Sequence, residues 1–509
     1  MARFITAILL VIALPVFASA QDDRPPNIGQ QMLEFVTAMH AQDPVEAQQV
    51  GRNIRDNPVF SNLPHSTRVE FLVELLGVEA VLGDREAALL LLSEIEALST
   101  DENFIIAIRI HTRVRLEDYL EAADPLLQLL ARNRSRASFL YWSSFDRIIG
   151  ALAEVGEYEQ VVALITTAEG MYRDTAPEWS DAYRRLELAR AFIGLGLEDR
   201  AASELRTIRT PDLLARIRYD REFEFLWQAP EFDEWSNVRA ATEAEIERLD
   251  IIIADNPHFL SPIRARVMAL SALGRDDEAL RAAESAADRV ENGPPWRDQN
   301  DQANWLYDAL AALHYESGRF DEGNAAMERA MSLNEGQMAT NVSQTINYGL
   351  YLFDQGQDDA AQNLVERLQD FEMSIYGERW ATSLLACIAY QDDRNEDYRE
   401  LREQLRQDSF RNRAALRQAY LCAGDEDGIT EIVIEQLGDE DARAEILEEF
   451  QQYSAGGVFP MIFEHETDRS RAARELWMRV RDRADVREVA GQHIRRQDFH
   501  VNHLIYTGP

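Results

Sequence analysis

The sequence predicts an all-α protein built as a stack of helical hairpins, and three observations carry that expectation. A unit made of an apolar-periodic run ending in Gly, a polar turn and a second run recurs around Gly83, Gly156, Gly196, Gly274, Gly318 and Gly356, with a weaker copy at Gly424. Small residues recur at fixed distances from those glycines. The intervals between them, 73, 40, 78, 44, 38 and 68 residues, fit one unit or two of a hairpin of about 34 to 40 residues.

Each part of the unit has a physical reason. Gly ends the first helix because it takes a left-handed conformation without Cβ strain. Acidic residues directly after it favour the positive N-terminus of the second helix. Five residues on, Ala88, Ala201, Ala279, Ala361 and, in one copy, Gly323 let the two helices approach. Twelve residues on, Ala168, Ala286 and Ala330 do the same one face further. Eight residues before the Gly, Leu75, Ile148, Leu188, Leu310 and Leu416 carry the apolar stripe of the first helix.

This pattern resembles the tetratricopeptide repeat. The copy from Trp305 to Asn334 matches best, with Leu310, Ala311, Gly318, Gly323 and Ala330 on the repeat's positions. The resemblance covers about two thirds of the chain beyond its first twenty residues, judged by repeat length. It is degenerate: no copy holds every consensus residue, and the closing proline is missing. It implies a helical-hairpin solenoid whose first helices line a concave groove.

Taken in order, residues 1–20 read as a cleavable leader. Arg3 precedes an apolar run from Phe4 to Phe17, and Ala18-Ser19-Ala20 offers a small-x-small cleavage pattern, so a cut after Ala20 is expected. No Cys stands there to take a lipid, and no later stretch approaches the roughly 20 apolar residues of a membrane helix. Residues 21–210 form an N-terminal array, with a cryptic hairpin expected at 105–130. Residues 211–241, rich in aromatics and interrupted by Pro230, read as a joint. A clean helix from Thr242 to Ala254 opens a C-terminal array over 242–440, with a second cryptic hairpin expected at 383–405. Residues 441–509 read as a helical cap, broken at Ser454–Gly457 and including the basic helix Arg469–Arg487, since a solenoid must cover its last apolar face.

The composition removes several function classes. Ninety acidic residues against 52 basic ones give a charge of −38, which opposes nucleic-acid binding and suits a basic partner or simple solubility. Every basic residue is Arg. Without Lys there is no Walker A lysine, no pyridoxal phosphate Schiff base and no Ser-x-x-Lys pair. An all-Arg complement follows from a GC-rich genome and points to a bacterium, hence to the periplasm or the medium. Cys387 and Cys422 fall on the first helices of neighbouring hairpins, where export would permit a disulfide if their Cα atoms come within about 5–6 Å.

No catalytic or cofactor signature is present: no Gly-x-Ser-x-Gly, His-Glu-x-x-His, Gly-x-Gly-x-x-Gly or Cys-x-x-Cys. No cofactor or metal is therefore expected. His493, Asp498, His500 and His503 read as polar surface, and Asp425-Glu-Asp427-Gly428 as a hairpin turn. In the register set by Gly274, Gly318 and Gly356, the groove side would carry Arg264, Trp305, Asp308, Tyr315, Glu316, Phe353 and Asp354. Exposed Trp, Tyr and Arg are common anchors of protein and peptide interfaces. The expected function is an exported, non-enzymatic scaffold that binds a protein or peptide. The alternative is an envelope enzyme acting on peptidoglycan or another polysaccharide through paired carboxylates, as exported helical superhelices occur in lytic transglycosylases.

Overall fold

The computed structural model describes residues 28–504, apart from residue 42 and residues 133–141, 176–177, 334–340, 371–372, 408, 410–411 and 454–466. The expected leader with its cut after Ala20, the break at Ser454–Gly457 and Ile505 lie outside the described residues.

The turns set the architecture. All seven glycines singled out above have positive φ, between 68° and 77°. At Gly274 the closing bonds run from Gly274 N to Ser271 O at 2.8 Å and from Arg275 N to Leu270 O at 2.9 Å. This wraps the helix end on itself and satisfies carbonyls that would otherwise be left open. Second helices begin on side-chain caps where the sequence allows: Asp84 Oδ1 accepts from Ala87 N at 3.1 Å and Asp425 Oδ1 from Gly428 N at 2.9 Å. Asp425-Glu-Asp427-Gly428 is thus a turn and cap.

The chain divides into two compact units between Glu204 and Leu205. The first holds α1 (Ile28–His40), α2 (Pro44–Arg55), α3 (His65–Val81), α4 (Arg85–Leu98), α5 (Glu102–Arg115), α6 (Tyr119–Arg132), α7 (Trp142–Glu154), α8 (Tyr158–Thr175), α9 (Glu178–Gly194) and α10 (Glu198–Leu205), whose last residue crosses the division. The cryptic hairpin is α5/α6, turned by Glu117 at φ 59° instead of by a glycine. Phe35, Phe60 and Phe71 meet edge-on and tilted at 5.2–5.3 Å in the core of the first two hairpins. Glu79, fully buried there, is held by Gln48 and Arg52 at 2.7 Å.

The second unit contains α11 (Pro211–Tyr219), α12 (Phe232–Trp235), α13 (Val238–Asp255), α14 (Ser261–Ala272), α15 (Asp276–Asn292), α16 (Gln299–Glu316), α17 (Phe320–Ser332), α18 (Val342–Asp354), α19 (Asp358–Glu366), α20 (Ile375–Gln391), α21 (Asn395–Gln407), α22 (Arg413–Cys422) and α23 (Glu426–Gly438). Its first helices, α14, α16, α18, α20 and α22, touch in succession and form one row, while α15, α17, α19 and α21 each pack on their own hairpin and on the first helix of the next. This is the tetratricopeptide-like hairpin stack that the glycine spacing predicts. The other cryptic hairpin is α20/α21, turned by Asp393 at φ 59°. A disulfide joins Cys387 on α20 to Cys422 on α22, with Cα atoms 5.4 Å apart.

The C-terminal residues do more than end the stack. After α24 (Glu440–Leu447), α25 (Asp468–Asp482) packs on α18, α22 and α23, and α26 (Ala484–Ala490) packs on α23. Trp477, 1% exposed, sits 6.0 Å from the Phe450 ring with the Arg417 guanidinium 5.2 Å over it. Beyond α26 the chain returns to the start of the same unit. Arg221 N donates to His493 O and Arg495 N to Tyr219 O, both at 2.8 Å, and Asn502 N donates to Ala272 O at 2.6 Å. A short parallel pair, β1 (Gln452–Tyr453) with β2 (Asp498–Phe499), joins the returning segment to the residues after α24. Ile494, Phe499, Val501 and Leu504 are buried along it. The stretch 211–241 is therefore tied into the second unit.

Candidate functional site on the first-helix row of the second unit

Residues four or seven apart on α14, α16 and α18 share a face, and on these helices that face is polar. Arg264 Nε donates to Gln302 Oε1 at 3.1 Å, and Asn347 Nδ2 donates to Asp308 Oδ2 at 2.8 Å. Asn304 Nδ2 reaches Asn341 Oδ1 and Gln344 Oε1, both at 3.3 Å. A ladder of side chains thus runs from hairpin to hairpin across the row.

Trp305 stands on this surface with 39% of its area exposed. Burial pushes the Asp308 carboxyl up to about 6, against the Asn347 hydrogen bond and the Arg264 charge. Burial also lowers the Arg264 guanidinium, with Asp308 opposing. Glu316, at the C-terminal end of α16, is pushed up to about 7 by burial, and Asp276 adds to the shift. Burial sets Asp354 at about 6, overcoming a hydrogen bond from Ser470 and the Arg469 charge. Tyr351 lies among all three acids; burial, and then their charges, raise it well above its ordinary value.

Two residues expected on the groove lie elsewhere. Tyr315 is 1% exposed, with its ring 4.3 Å from that of Tyr351 and its hydroxyl donating to Asn324 Oδ1 at 2.8 Å. It covers Gly323, where an added Cβ would fall 2.3 Å from the Tyr315 ring. The small residue five places after the turn is therefore the seat of the tyrosine three places before it. Phe353, in the same register, is 3% exposed beneath the Arg469 guanidinium, 4.5 Å from the ring centroid. Arg469 also donates to Phe353 O at 2.5 Å and to both Asp358 oxygens at 2.5 and 2.8 Å.

Sequence reasoning did not pick out Asn304, Asn347, Tyr351, Arg469 or Ser470. Asn347 and Tyr351 follow Asp354 backwards at helical spacing, which was the available signal. For Arg469 the only signal was the basic character of the cap helix.

Chemically the surface offers hydrogen bonds, an exposed indole and acids with raised affinity for protons. Among the described residues no group of three or more His, Cys, Asp and Glu is placed to hold a metal, and no helix is long and apolar enough to cross a membrane. His503 contacts Leu504 O and Ser271 Oγ, at 3.0 and 3.2 Å, while His493 meets Arg221 through its backbone. Ser317, which follows Glu316, donates its hydroxyl to Leu313 O at 2.9 Å.

No family model matches the chain, and no curated protein matches it. Among solved structures it is similar to yeast Tom70, at 12% identity and TM-score 0.30, over 91% of this chain and 98% of that one. It is also similar to the APC/C hetero-tetramer Cut9–Hcn1, at 12% identity and TM-score 0.29, over 96% and 98%. The P58(IPK) TPR domain follows at 13% identity and TM-score 0.19, over 90% and 99%. At such values these likenesses say nothing of function. The hairpin fold rests on the turns and packing described above.

Proposed function

We propose that this chain is an exported scaffold that binds a protein or peptide on the first-helix row of its second unit. The observation that carries the reading is the exposed Trp305 set among Asn304, Asp308 and the hydrogen-bonding ladder. An amphipathic anchor beside amide groups and a carboxylate suits an extended or helical segment with polar and basic groups. The net charge of −38 favours a basic partner through steering. Export rests on the leader-like first twenty residues and on a disulfide suited to an oxidising compartment. The test is a pull-down from periplasmic extract with wild type and Trp305→Ala. A partner retained equally by both removes the first-helix row as the binding surface. A partner lost from Trp305→Ala and weakened by salt supports it.

The second reading, an envelope hydrolase, is favoured by one observation: Asp308, Glu316 and Asp354 hold protons at higher pH than ordinary carboxyls. Release of soluble fragments from peptidoglycan by wild type, abolished in Glu316→Gln and Asp308→Asn, would establish it in place of the scaffold.

A further inference from the structure

A cleft of about 340 Å³ lies wholly within the first unit. Successive second helices α6 and α8 pack on one another, whereas α4 and α6 make little direct contact and leave α5 as the floor between them. Each of these three helices turns one face to the opening. Leu89, Leu92 and Glu96 line it from α4 at helical spacing. Arg109 and Arg113 stand one turn apart on α5, and Glu121 and Pro125 one turn apart on α6.

The floor carries donors in excess of what the protein uses. Arg109 donates to Glu96 through Nε, and Arg113 donates to Asp118 Oδ2 through Nη1 at 2.9 Å. Both Nη groups of Arg109 and the Nη2 group of Arg113 have no acceptor among the described residues, and both side chains are partly exposed. A guanidinium presents its N–H groups as a fixed fork that matches a carboxylate. The α6 side is of the opposite kind. Glu121 is exposed and, although Arg85 feels its charge, makes no ion pair among the described residues. Pro125 has no N–H, so the Glu121 carbonyl one turn earlier receives no helical hydrogen bond. Leu89, Leu92 and Pro125 supply an apolar wall.

We propose that this cleft binds a small zwitterion, a free amino acid or a dipeptide with an aliphatic side chain. The ligand carboxylate lies on Arg109 and Arg113, its ammonium on the Glu121 carboxylate and carbonyl, and its side chain on Leu89, Leu92 and Pro125. A simple anion fits less well, because Glu96, Asp118 and Glu121 outnumber the two guanidiniums. A simple cation fits less well, because the floor itself is cationic. A ligand that carries both charges meets neither penalty. The volume is at the lower end of the roughly 300–1,000 Å³ of small-molecule sites, which excludes a helix as the occupant.

The test is titration calorimetry of the full chain with leucine, with leucyl-leucine, and with the N-acetyl and amide forms of each. The expected result is saturable binding of at least one zwitterion below about 10 mM, the tighter of the two telling a free amino acid from a dipeptide. Each singly charged form should bind at least about tenfold more weakly, the loss expected for one charge-assisted hydrogen bond. Arg109→Gln should weaken the zwitterion by a similar factor. Glu121→Gln should do so too, and should erase the advantage of the free ammonium over its acetylated form. Absence of saturable binding by either zwitterion overturns the proposal. So does an N-acetyl or amide form that binds as tightly as its parent, since that marks a site for one charge alone. If Arg109→Gln does not fold, the exposed Glu121→Gln and the ligand series decide the matter.

Discussion

Tyr315 and Trp305 stand ten residues apart on α16 and should lose different amounts of stability on truncation. Tyr315 is 1% exposed, stacked on Tyr351 and bonded to Asn324, with Gly323 as its seat. A buried aromatic side chain removes about 150–250 Å² from water, which at about 25 cal/mol per Å² bounds its transfer contribution at about 4–6 kcal/mol. Measured truncations of buried aromatics run at about 3–5 kcal/mol. Gly323 has no side chain with which to fill the void, so Tyr315→Ala should cost about 4 kcal/mol. Trp305, 39% exposed, has roughly three fifths of its area out of water, which on the same coefficient bounds its loss at about 2–4 kcal/mol, below the bound for Tyr315. The assay is calorimetry of the full chain, following the transition assigned to the second unit by the change it shows on reducing the disulfide. Melting of Tyr315→Ala together with wild type would refute the core assignment. A loss in Trp305→Ala as large as that in Tyr315→Ala would show that the indole is packed and would remove it as an anchor.

Three further outcomes are expected. Asp308, Glu316 and Asp354, at about 6, 7 and 6, bind protons more tightly folded than unfolded, so their contribution is complete below about pH 4 and is lost as pH rises through 6 to 7. The second unit should therefore melt lower at pH 8 than at pH 5.5 by calorimetry, with the difference reduced in an Asp308→Asn, Glu316→Gln double variant. Reducing the Cys387–Cys422 bridge, which spans 35 residues of sequence, should destabilise the same unit by about 4 kcal/mol in urea unfolding, on the loop-closure relation. Arg417, 4% exposed, is paired with Glu449, whose carboxyl burial pushes up against the pull of that guanidinium. Glu449→Ala should cost about 3–5 kcal/mol by stranding the guanidinium, whereas Arg417→Met with Glu449→Leu should fall close to wild type in the same unfolding assay.

The hairpins were legible because glycine is the residue that most easily takes the left-handed turn, and all seven marked glycines take it. Glu117 and Asp393 make the same turn with ordinary side chains, so only the spacing of the glycines betrayed their hairpins. Nothing betrayed α1/α2, whose junction uses Asp43 as a cap before Pro44 in place of a glycine. Of the residues assigned to one face by counting from the turn, Arg264 and Asp308 enter the hydrogen-bonded ladder and Trp305 is exposed, whereas Tyr315 and Phe353 are buried. Three residues before the glycine a helix faces its own partner as much as the groove, and the partner's missing Cβ at Gly323 draws the ring inward. Asp354 was named without its neighbour, because its contact with Ser470 joins positions more than a hundred residues apart. Local pattern carries no trace of such a meeting.

The return of the C-terminal segment to Tyr219 and Ala272 has a consequence for the order of folding. Hairpins close from neighbouring residues and can form early, but the strap at Ile494–Leu504 must cross more than two hundred residues of sequence to meet α11 and α14. Until the strap docks, the second unit thus has an open apolar seam where Ile494, Phe499, Val501 and Leu504 later sit. Chains cut before residue 490 should need a chaperone to remain in solution, whereas chains that include Ile494–Leu504 should not.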